Sequence, residues 1–475
     1  MIPVSQAYKE KINSVSRRFR PRVLMYLNGD NAPPEVFDHE RVVNMQLLEE
    51  SGAGSGNPIG YVSVNELSLT LDNSDRAFTP TNKESPFYGK LRPGIRVEAF
   101  IELEIGENEF ESVPLGIFWT AGDWTATSDS VEASIKCYDR LNEIRNRDMP
   151  MLRVARHTTV KEMFETLFAA LGLSPEEYDI DPALNQPVNI GWYPDGKVQD
   201  ALYFLAVAGN CYVTADRHGA IRVKSNFAAG DPVVTLTEDD QIITADNPQK
   251  HEMIFNKVKV ANYYPRIKHA ESVLKIDEIS IPPGSTKLQN IKFTSGPVAE
   301  VTSIKLTGQN TEFVLLEYGA WGITLEITNS GPEETISLEV FGKTVEATYS
   351  TYETQDSALV QEWGEKELPI NNHLIQDFST AKTYADALLH LVKDPYLHFT
   401  LDLRGDPAIE VGDIVKVVDE VDKIGEAIVV PNRITITYDG GLEATVEARK
   451  PVLPYQWVFI SPGLTIYAPY GVILD

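Results

Sequence analysis

The stretch Asn65–Gly94, NELSLTLDNSDRAFTPTNKESPFYGKLRPG, begins as a β-strand and then changes character. Leu67, Leu69 and Leu71 alternate with hydroxyl side chains, which is the period of a half-buried strand. The turn-forming residues DNSD end this pattern. A polar segment with Pro80 and Pro86 follows and closes on Tyr88-Gly89, and a second strand begins at Ile95. The stretch therefore predicts two strands joined by a long polar loop in a β-rich fold.

Composition sets the bounds of that fold. The chain has 475 residues, 43% of them hydrophobic, which corresponds to roughly three domains. No apolar run approaches the ~18 residues of a membrane span, and the N-terminal residues lack the apolar centre of a signal peptide. The two cysteines, Cys137 and Cys211, do not make a disulfide framework, so we expect the chain to fold by packing in a reducing cytoplasm.

The formal net charge of −27 argues against binding of duplex DNA, because neutralising phosphates requires clustered Lys and Arg. Two interpretations of the charge stay open. It provides solubility, or it forms a surface that nucleic acid passes without binding.

The order of strand and helix patterns divides the chain. From Arg20 to Asp139 short alternating segments predict strands of a barrel or sandwich. Apolar residues at helical spacing predict helices over Thr159–Leu171 and Val198–Ala208, and a hairpin over Cys211–Val223 completes a small α/β module. Residues 291–350 are short strands separated by Gly-containing turns, which indicates an inserted β-sandwich.

A helix is predicted over Thr380–Val392, after which strands resume. These late strands repeat the first ones. With one inserted glycine, WTATSDSVEASIKC from Trp124 aligns with ITITYDGGLEATVEA from Ile434. The aligned residues are Thr125 with Thr435, Thr127 with Thr437, Asp129 with Asp439, Glu132-Ala133 with Glu443-Ala444, and Ile135 with Val446. Upstream, Gly94 and Gly412 each precede a strand, and LSLTLDN and FTLDLRGD precede them.

The repeat predicts two related β-barrels, although unrelated β-hairpins also resemble one another over so few residues. The expected fold is mainly β, with an α/β module, two related barrels of which the second is discontinuous, an inserted β-sandwich and a trimeric hub-like architecture. The expected divisions are 1–145 (first barrel), 146–235 (α/β module), 236–290 with 395–450 (second barrel), 291–350 (sandwich), 351–394 (helical connection) and 451–475 (apolar tail).

The segment from Gly60 to Phe100, with its strand, Asp/Asn-rich turn, SPFYG and RPG, resembles the N-terminal domain of phage tail hub proteins from viruses of Gram-positive bacteria. GDPAIEVGDIVKV and ITITYDGGLEATVEARK resemble the second barrel of that family, and PDGKVQDALYFLAVAGNCYVTADRHGAIRV resembles its middle module. The resemblance covers about Arg20 to Lys450, and the order of the motifs is its strongest feature.

The resemblance implies a hub at a tail tip or baseplate, assembled in the host bacterial cytoplasm and carried on the virion. Three copies would form a ring whose six barrels match a hexameric tail tube on one side and a threefold tip on the other. The implied partners are a distal tail or tail tube protein, a tape measure protein, and a spike, fibre or lysin. DNA would pass through the ring without being bound. The internal repeat supports this independently, since symmetry determines how interfaces recur.

The resemblance also suggests a role for the polar loop between the two predicted strands of Asn65–Gly94. We expect Asp72–Gly89 to form an interface loop anchored by Phe78, Phe87 and Tyr88, because aromatic residues are enriched at interfaces. The alternative is a surface loop whose aromatic rings fill its own core. In IELEIGENEFE, Glu102 and Glu104 alternate with apolar residues, so they form either a solvated face or a negative channel wall that repels DNA.

The sequence provides no arrangement for catalysis. None of the eight histidines has a metal-ligand spacing, and we expect no catalytic residue, metal or cofactor. Two alternatives remain: a tail-associated hydrolase of cell-wall polysaccharide with a pair of carboxylates, and a carbohydrate-binding protein in which Tyr318, Trp321 and Phe341 stack on sugars. Core packing is the competing interpretation for these three rings.

The C-terminal segment PVLPYQWVFISPGLTIYAPYGVILD crowds aromatic residues between Pro and Gly breaks. An exposed apolar patch of this kind marks an interaction site. We expect it to dock on a neighbouring subunit or the next tip protein, or else to fold onto its own domain. The candidate contact residues are Tyr455, Trp457, Phe459, Tyr467 and Tyr470.

Overall fold

The structure is a computed structural model that describes residues 1–52, 59–122, 124–127, 130–226, 230–248, 254–394 and 398–451, and two short strands beyond them. The helices are α1 (Gln6–Ile12), α2 (Arg140–Asn146), α3 (Val160–Ala170), α4 (Val198–Gly209), α5 (Ser357–Trp363) and α6 (Phe378–Val392), with a 3-10 turn at Pro175–Glu177. The first strands are β1 (Phe19–Met25), β2 (Glu35–Phe37), β3 (Val42–Glu50), β4 (Glu66–Asp72), β5 (Arg96–Gly106), β6 (Glu109–Thr120), β7 (Thr125–Ala126) and β8 (Glu132–Tyr138).

The remaining strands follow in chain order. Those of the middle of the chain are β9 (Ala155–Thr159), β10 (Tyr178–Ile180), β11 (Pro187–Gly191), β12 (Cys211–Ala215), β13 (Ile221–Ser225), β14 (Val234–Thr237), β15 (Ile242–Asp246), β16 (Lys257–Ile281), β17 (Gly284–Lys292), β18 (Val298–Leu306), β19 (Thr311–Tyr318), β20 (Gly322–Asn329), β21 (Glu334–Gln355) and β22 (Glu367–Ile370). The last are β23 (His398–Leu403), β24 (Val415–Asp419), β25 (Gly425–Tyr438), β26 (Leu442–Arg449), β27 (Ile466–Tyr467) and β28 (Ile473–Leu474).

One sheet of 14 strands joins the two ends of the chain. Its order is β15-β23-β26-β25-β3-β4-β8-β6-β5-β1-β2, with β7 paired to β8, β24 to β25 and β14 to β24. Buried and solvent-facing residues alternate along β4, β8, β23 and β26, as expected for strands with one face on a core. A single apolar core contains residues of both ends, from Val23 to Ala448.

The internal repeat is confirmed by the strand registers. We call β3–β8 the first unit, and β15 with β23–β26 the second unit. Leu69 faces Ile135 in the first unit, as Leu401 faces Val446 in the second. The further equivalent pairs are Leu71–Ala133 with Leu403–Ala444, Thr125–Ser134 with Thr435–Thr445, Trp119–Tyr138 with Val430–Arg449, and Val97–Phe118 with Val415–Val429. β-Hairpins that resemble each other by chance do not share one register over several ladders.

The opening strands of the two units also correspond. Met45 faces Leu69 as Ala245 faces Leu401, and an irregularity in the ladder follows both Val42 and Ile242. Because bulges are specific local features, their shared position makes β15 the equivalent of β3. The chain leaves the second unit after β15 and returns at β23, which is where the insertion lies. The second unit is therefore interrupted in the chain between β15 and β23.

The expected barrels are not closed ladders within the described residues. β3 pairs with β25 of the other unit, from Arg433 opposite Glu50 to Tyr438 opposite Met45. Since this edge of β3 is used between units, the first unit does not close on itself. The two predicted barrels are thus two units of one open, continuous sheet.

The α/β module lies between the units in the chain, as predicted. Thr159 and Glu162 form the capping box that begins α3. Asn210 caps the C-terminal end of α4 in a left-handed conformation. The predicted hairpin is β12–β13, and β10 joins it on the other side of β13. Helices and hairpin share one apolar core, which includes Phe164 and Leu205.

The insertion is a sandwich built on a long hairpin, β16–β21. Its two sheets are β18-β21-β16-β22 and β17-β20-β19, and their inner faces share a core that includes Val273, Leu325 and Val340. The sandwich begins earlier than predicted: residues 257–290, expected in the second barrel, pair within the insertion. Alternation within β16 indicates a strand but does not identify its partner strand.

Candidate interface surfaces

The junction of the two units is held by one buried arginine, Arg217, in the β12–β13 turn. Its Nε and Nη2 atoms each donate to the Glu49 carboxylate at 2.7 Å. Nη2 also donates to the Ile409 carbonyl at 2.8 Å, and Nη1 donates to the carbonyls of Pro407 and Pro114. Arg217 is 2% exposed. One guanidinium therefore connects the α/β module to both units.

The charge of Arg217 is retained despite its burial. Burial lowers the pKa of the guanidinium, but the carboxylates of Glu49, Glu410 and Asp413 together outweigh this effect, so the pKa is raised overall. Sequence reasoning assigned this residue only to a turn. The available signal was Glu49 itself, a carboxylate at an inward position of an alternating strand, which requires a buried partner.

The N-terminal segment reaches across to the second unit. The Tyr8 hydroxyl donates to Asp406 at 3.0 Å, and the Gln241 amide donates to the Ile12 carbonyl at 2.9 Å. The N-terminal ammonium group pairs with Glu410 at 3.1 Å and with Asp413. This segment therefore binds the second unit through contacts that are separate from the β3–β25 ladder.

The loop Asp72–Gly89 is ordered by its own contacts. The Phe78 ring stacks on Phe87 and Trp124 with centroids 5.3 and 5.4 Å away, and the Asn73 side chain accepts from the Phe78 amide at 2.8 Å. Phe78 is 0% and Phe87 8% exposed. The expectation that these two rings contact a neighbour is corrected: they fill the core of their own unit, which was the alternative. Tyr88 is 48% exposed and is the ring of the three that a partner can reach.

The acidic face expected on β5 is neutralised by β1. Glu102 is buried and pairs with Arg20 and, at 3.6 Å, with Arg22, while Glu104 pairs with Arg18 at 3.5 Å. The Arg20 guanidinium also lies 3.8 Å from the centroid of the Phe110 ring. Because each carboxylate has an arginine partner, the expected negative wall at Glu102 and Glu104 is corrected to an ion-paired surface.

The solvent face of the two-unit sheet has a different character. It carries hydroxyl and carboxylate groups that hydrogen-bond across strands. The pairs are Thr70–Ser134 at 3.1 Å, Gln46–Thr437 at 3.3 Å, Thr445–Asp402 at 3.0 Å and Thr244–Asp402 at 2.9 Å. These short side chains are exposed or half-buried. We call this surface the hydroxyl face; it runs from β15 to β8 across both units.

The candidate sugar-stacking rings of the insertion are engaged within the chain. Trp321 donates from Nε1 to the Tyr193 carbonyl at 2.7 Å. The Tyr318 ring lies under Arg153 and the Phe341 ring under Lys305, each 4.3 Å from the ring centroid. All three rings are half-buried, so they do not offer one shared open platform.

His373, the histidine that precedes α6, packs against other residues of its own chain. His373 stacks on Trp192 with centroids 3.5 Å apart, and burial lowers its pKa to about 3. No group of three or more His, Cys, Asp or Glu residues suited to a metal is present among the described residues. In the same part of the chain, no helix has the length and apolarity to cross a membrane.

The aromatic C-terminal segment lies outside the described residues. Tyr455, Trp457, Phe459 and Tyr470 are not described, and Tyr467 is described only as part of β27, which pairs with β28. The docking role of this segment remains a prediction.

Three features identify this fold: the duplicated β unit, the α/β module and the inserted sandwich. No protein-family model and no curated protein sequence match the chain. A 43 kDa tail protein of prophage MuSo2 from Shewanella oneidensis matches with a TM-score of 0.51 at 13% identity, over 91% of this chain and 98% of that one. A tail protein from Neisseria meningitidis MC58 matches with a TM-score of 0.52 at 10% identity, over 91% and 97%.

The chain therefore has the fold of these prophage tail proteins over most of both lengths. This bears out the resemblance to tail proteins that the sequence motifs suggested. The two matches do not show the restriction to viruses of Gram-positive bacteria. A prophage tail protein from Listeria monocytogenes EGD-e matches with a TM-score of 0.42 at 10% identity.

Proposed function

We propose that the protein is a non-enzymatic structural component of a phage or phage-like tail, at the tail tip or baseplate, and that three copies form a ring. The ring adapts a hexameric tail tube to a threefold tip. The observation that carries this proposal is the internal repeat in one register. A chain with two equivalent units presents six similar surfaces in a trimer, which is what a sixfold neighbour needs.

The proposed partners follow from the two sides of such a ring. On the sixfold side we propose a distal tail or tail tube protein, and through the centre a tape measure protein and passing DNA. On the threefold side we propose a spike, fibre or lysin, with the C-terminal aromatic segment as a contact. We propose Tyr88 as a contact between neighbouring subunits of the ring. The sandwich insertion occurs once per chain, so its surface would repeat only three times.

The channel wall in this proposal is the hydroxyl face. The opposite face of the two-unit sheet packs on the shared core, and the α/β module reaches the buried Glu49 of β3 through Arg217. We therefore place that face on the outer side of the ring. The inner side then presents short hydroxyl and carboxylate groups. Among the described residues of this face, Lys136 and Arg433 pair with carboxylates, so these cations are not free to retain DNA. The position of Glu102 and Glu104 relative to the channel stays a prediction, now for an ion-paired surface.

The test is the mass of the purified protein in solution, by light scattering after size exclusion, with negative-stain imaging of the same peak. The expected result is three times the chain mass of 52.9 kDa and a particle with a central hole. A protein that stays a monomer at every concentration tested, with or without a tail tube protein, would contradict the ring. Work would then turn to cell-wall hydrolysis and glycan binding.

A further inference from the structure

The repeat relates two strand edges of the sheet to the edges that β3 and β25 join at the junction of the two units. The C-terminal part of β25 pairs with β3. By the registers above, β7 is the equivalent of that part of β25, and β15 is the equivalent of β3. Within the described residues, β7 pairs with β8 alone and β15 with β23 alone. The outer edges of β7 and β15 are thus the equivalents of the two edges joined at the junction.

We propose that β15 of one subunit pairs with β7 of the next, antiparallel, and that this ladder closes the ring. The partner is a second copy of this chain, and the inference rests on the proposed ring. The register follows from the junction, where Thr437 faces Gln46 and Ile436 faces Leu47. Thr127 then lies opposite Asp246 of the partner subunit, and Ala126 opposite Asn247 of the partner subunit.

The side chains at this joint are chemically matched. At the junction the Gln46 amide donates to the Thr437 hydroxyl at 3.3 Å. Their equivalents Thr127 and Asp246 are both exposed in the single chain. A threonine hydroxyl donates and an aspartate carboxylate accepts, so the cross-strand pair is retained with donor and acceptor exchanged. Unpaired edges also recruit strands through their backbone groups.

The edge of β15 is capped in the single chain. The Ala245 amide donates to the Asp422 carboxylate at 3.0 Å, from the loop between β24 and β25. The equivalent of Ala245 is Met45, which faces Tyr438 across the junction. The Asp422 side chain therefore occupies a backbone N–H of β15, and ring closure requires this bond to break. Charged caps of this kind prevent strand edges from pairing prematurely.

Disulfide trapping tests the ladder and its register. The double variant T127C/D246C places thiols on directly opposed residues, whose Cα atoms in an antiparallel ladder are about 4.5–5.5 Å apart, within reach of a disulfide. Native Cys137 and Cys211 are buried, and burial raises the pKa of both thiols, so they remain unreactive. In the control variant T127C/I243C the second thiol lies at Ile243, three residues before Asp246 on β15, so the two thiols are not on opposed residues. The intrachain control Q46C/T437C should form its disulfide in a single chain.

The expected result is about tenfold more covalently closed trimer for T127C/D246C than for T127C/I243C under mild oxidation. A wild-type trimer by mass without this cross-link would overturn the ladder and leave the ring intact. No trimer by mass would overturn the ring, and the ladder with it. If T127C/D246C does not fold, mixing the two single-cysteine variants gives the same readout as covalent dimers.

A second experiment tests the capping bond from the Ala245 amide to Asp422. Asp422→Ala removes the competing bond, and we expect half-maximal assembly at a roughly fivefold lower concentration, the size of one hydrogen bond. Glu420→Ala is the matched control, because it removes the same charge from the same loop without touching Ala245. An unchanged or higher assembly concentration for Asp422→Ala would overturn the capping role.

Discussion

The two units of the sheet share their registers and differ in their connections. Between its first and second strands the first unit has the short segment 51–65, whereas the second has the insertion over 247–397. Between the second and third strands the relation is reversed, with 73–95 in the first unit and 404–414 in the second. β1 lies between β2 and β5, whereas β14 pairs directly with β24. Pairing register was thus retained while loops, which tolerate change, took on separate roles.

The two units also differ at the residue that follows their last strand. Asp139 follows β8, is buried, and caps α2 by accepting from the Leu141 amide at 2.9 Å. Its equivalent after β26 is Lys450, which pairs with Asp394 at 2.7 Å. The first unit ends in a buried carboxylate that starts the α/β module, and the second ends in a half-buried ion pair. The units are therefore the same in pairing and different in what they are attached to.

The largest effect is expected at the residue that joins the units. Arg217→Ala leaves Glu49 as an uncompensated buried charge, so the free energy of unfolding should fall by about 3–5 kcal/mol, measured by urea denaturation. Arg266→Ala is the control: Arg266 is 75% exposed and pairs with Glu346, and its loss should cost about 0–1 kcal/mol. An Arg217→Ala variant as stable as this control would show that the units do not depend on the buried pair.

Equivalent core positions provide the direct comparison of the units. Leu69 and Leu401 are 1% and 0% exposed, so replacing either with Ala should lower the unfolding free energy by about 3 kcal/mol through lost burial and a cavity. We expect the two losses to agree within about 1 kcal/mol. Thr70→Ala and Thr400→Ala, on the hydroxyl face, should each cost less than about 1 kcal/mol. A large loss at Leu69 with none at Leu401 would break the equivalence of the units.

Asp139 of the first unit should contribute to the pH dependence of stability. Burial raises the pKa of Asp139 from 3.8 to about 7, so the folded state keeps a proton that the unfolded state loses at lower pH. The contribution of Asp139 to the free energy of unfolding should therefore fall as pH rises from about 4 to about 7, by on the order of 2 to 3 kcal/mol, and level off above. The lowered pKa of His373 acts in the opposite direction. Asp139→Asn should remove the Asp139 contribution, and Lys450→Gln should not. Equal slopes in wild type and Asp139→Asn would contradict the assignment.

The smallest effect on stability is expected at the loop that only the first unit carries. Tyr88 is half-exposed, so Tyr88→Ser should change the unfolding free energy by less than about 0.5 kcal/mol while lowering the yield of ring by mass. Phe87→Ser should instead destabilise the folded chain, because Phe87 lies in the core. Normal ring assembly by Tyr88→Ser would remove Tyr88 from the interface.

The sequence predicted the repeat because it lies in local pattern. The aligned residues from Thr125 and Thr435 fall on β7 and β25, which occupy equivalent places against β8 and β26. The capping box at Thr159 and the hairpin from Cys211 were also local and were confirmed. Elements of this kind carry their signals within a few residues.

The features that the sequence did not predict all depend on contacts between residues that are far apart in the chain. Glu102 is separated from Arg20 by 82 residues and Glu49 from Arg217 by 168, and alternation does not reveal which strand lies opposite. For the same reason β16 was assigned to the second barrel, although it pairs with β21. Phe78 and Phe87 stand in a polar loop, where composition suggests exposure, but the loop folds back over the core. The hydroxyl face became visible only when the strands were ordered.

The most direct test of the central claim, that two equivalent units build a sixfold surface from three chains, is electron cryomicroscopy of the assembled particle. We predict sixfold rotational correlation at the level of the two-unit sheet and only threefold correlation at the level of the sandwich insertion. A particle without sixfold correlation at the sheet, or with a number of chains other than three, would contradict the account.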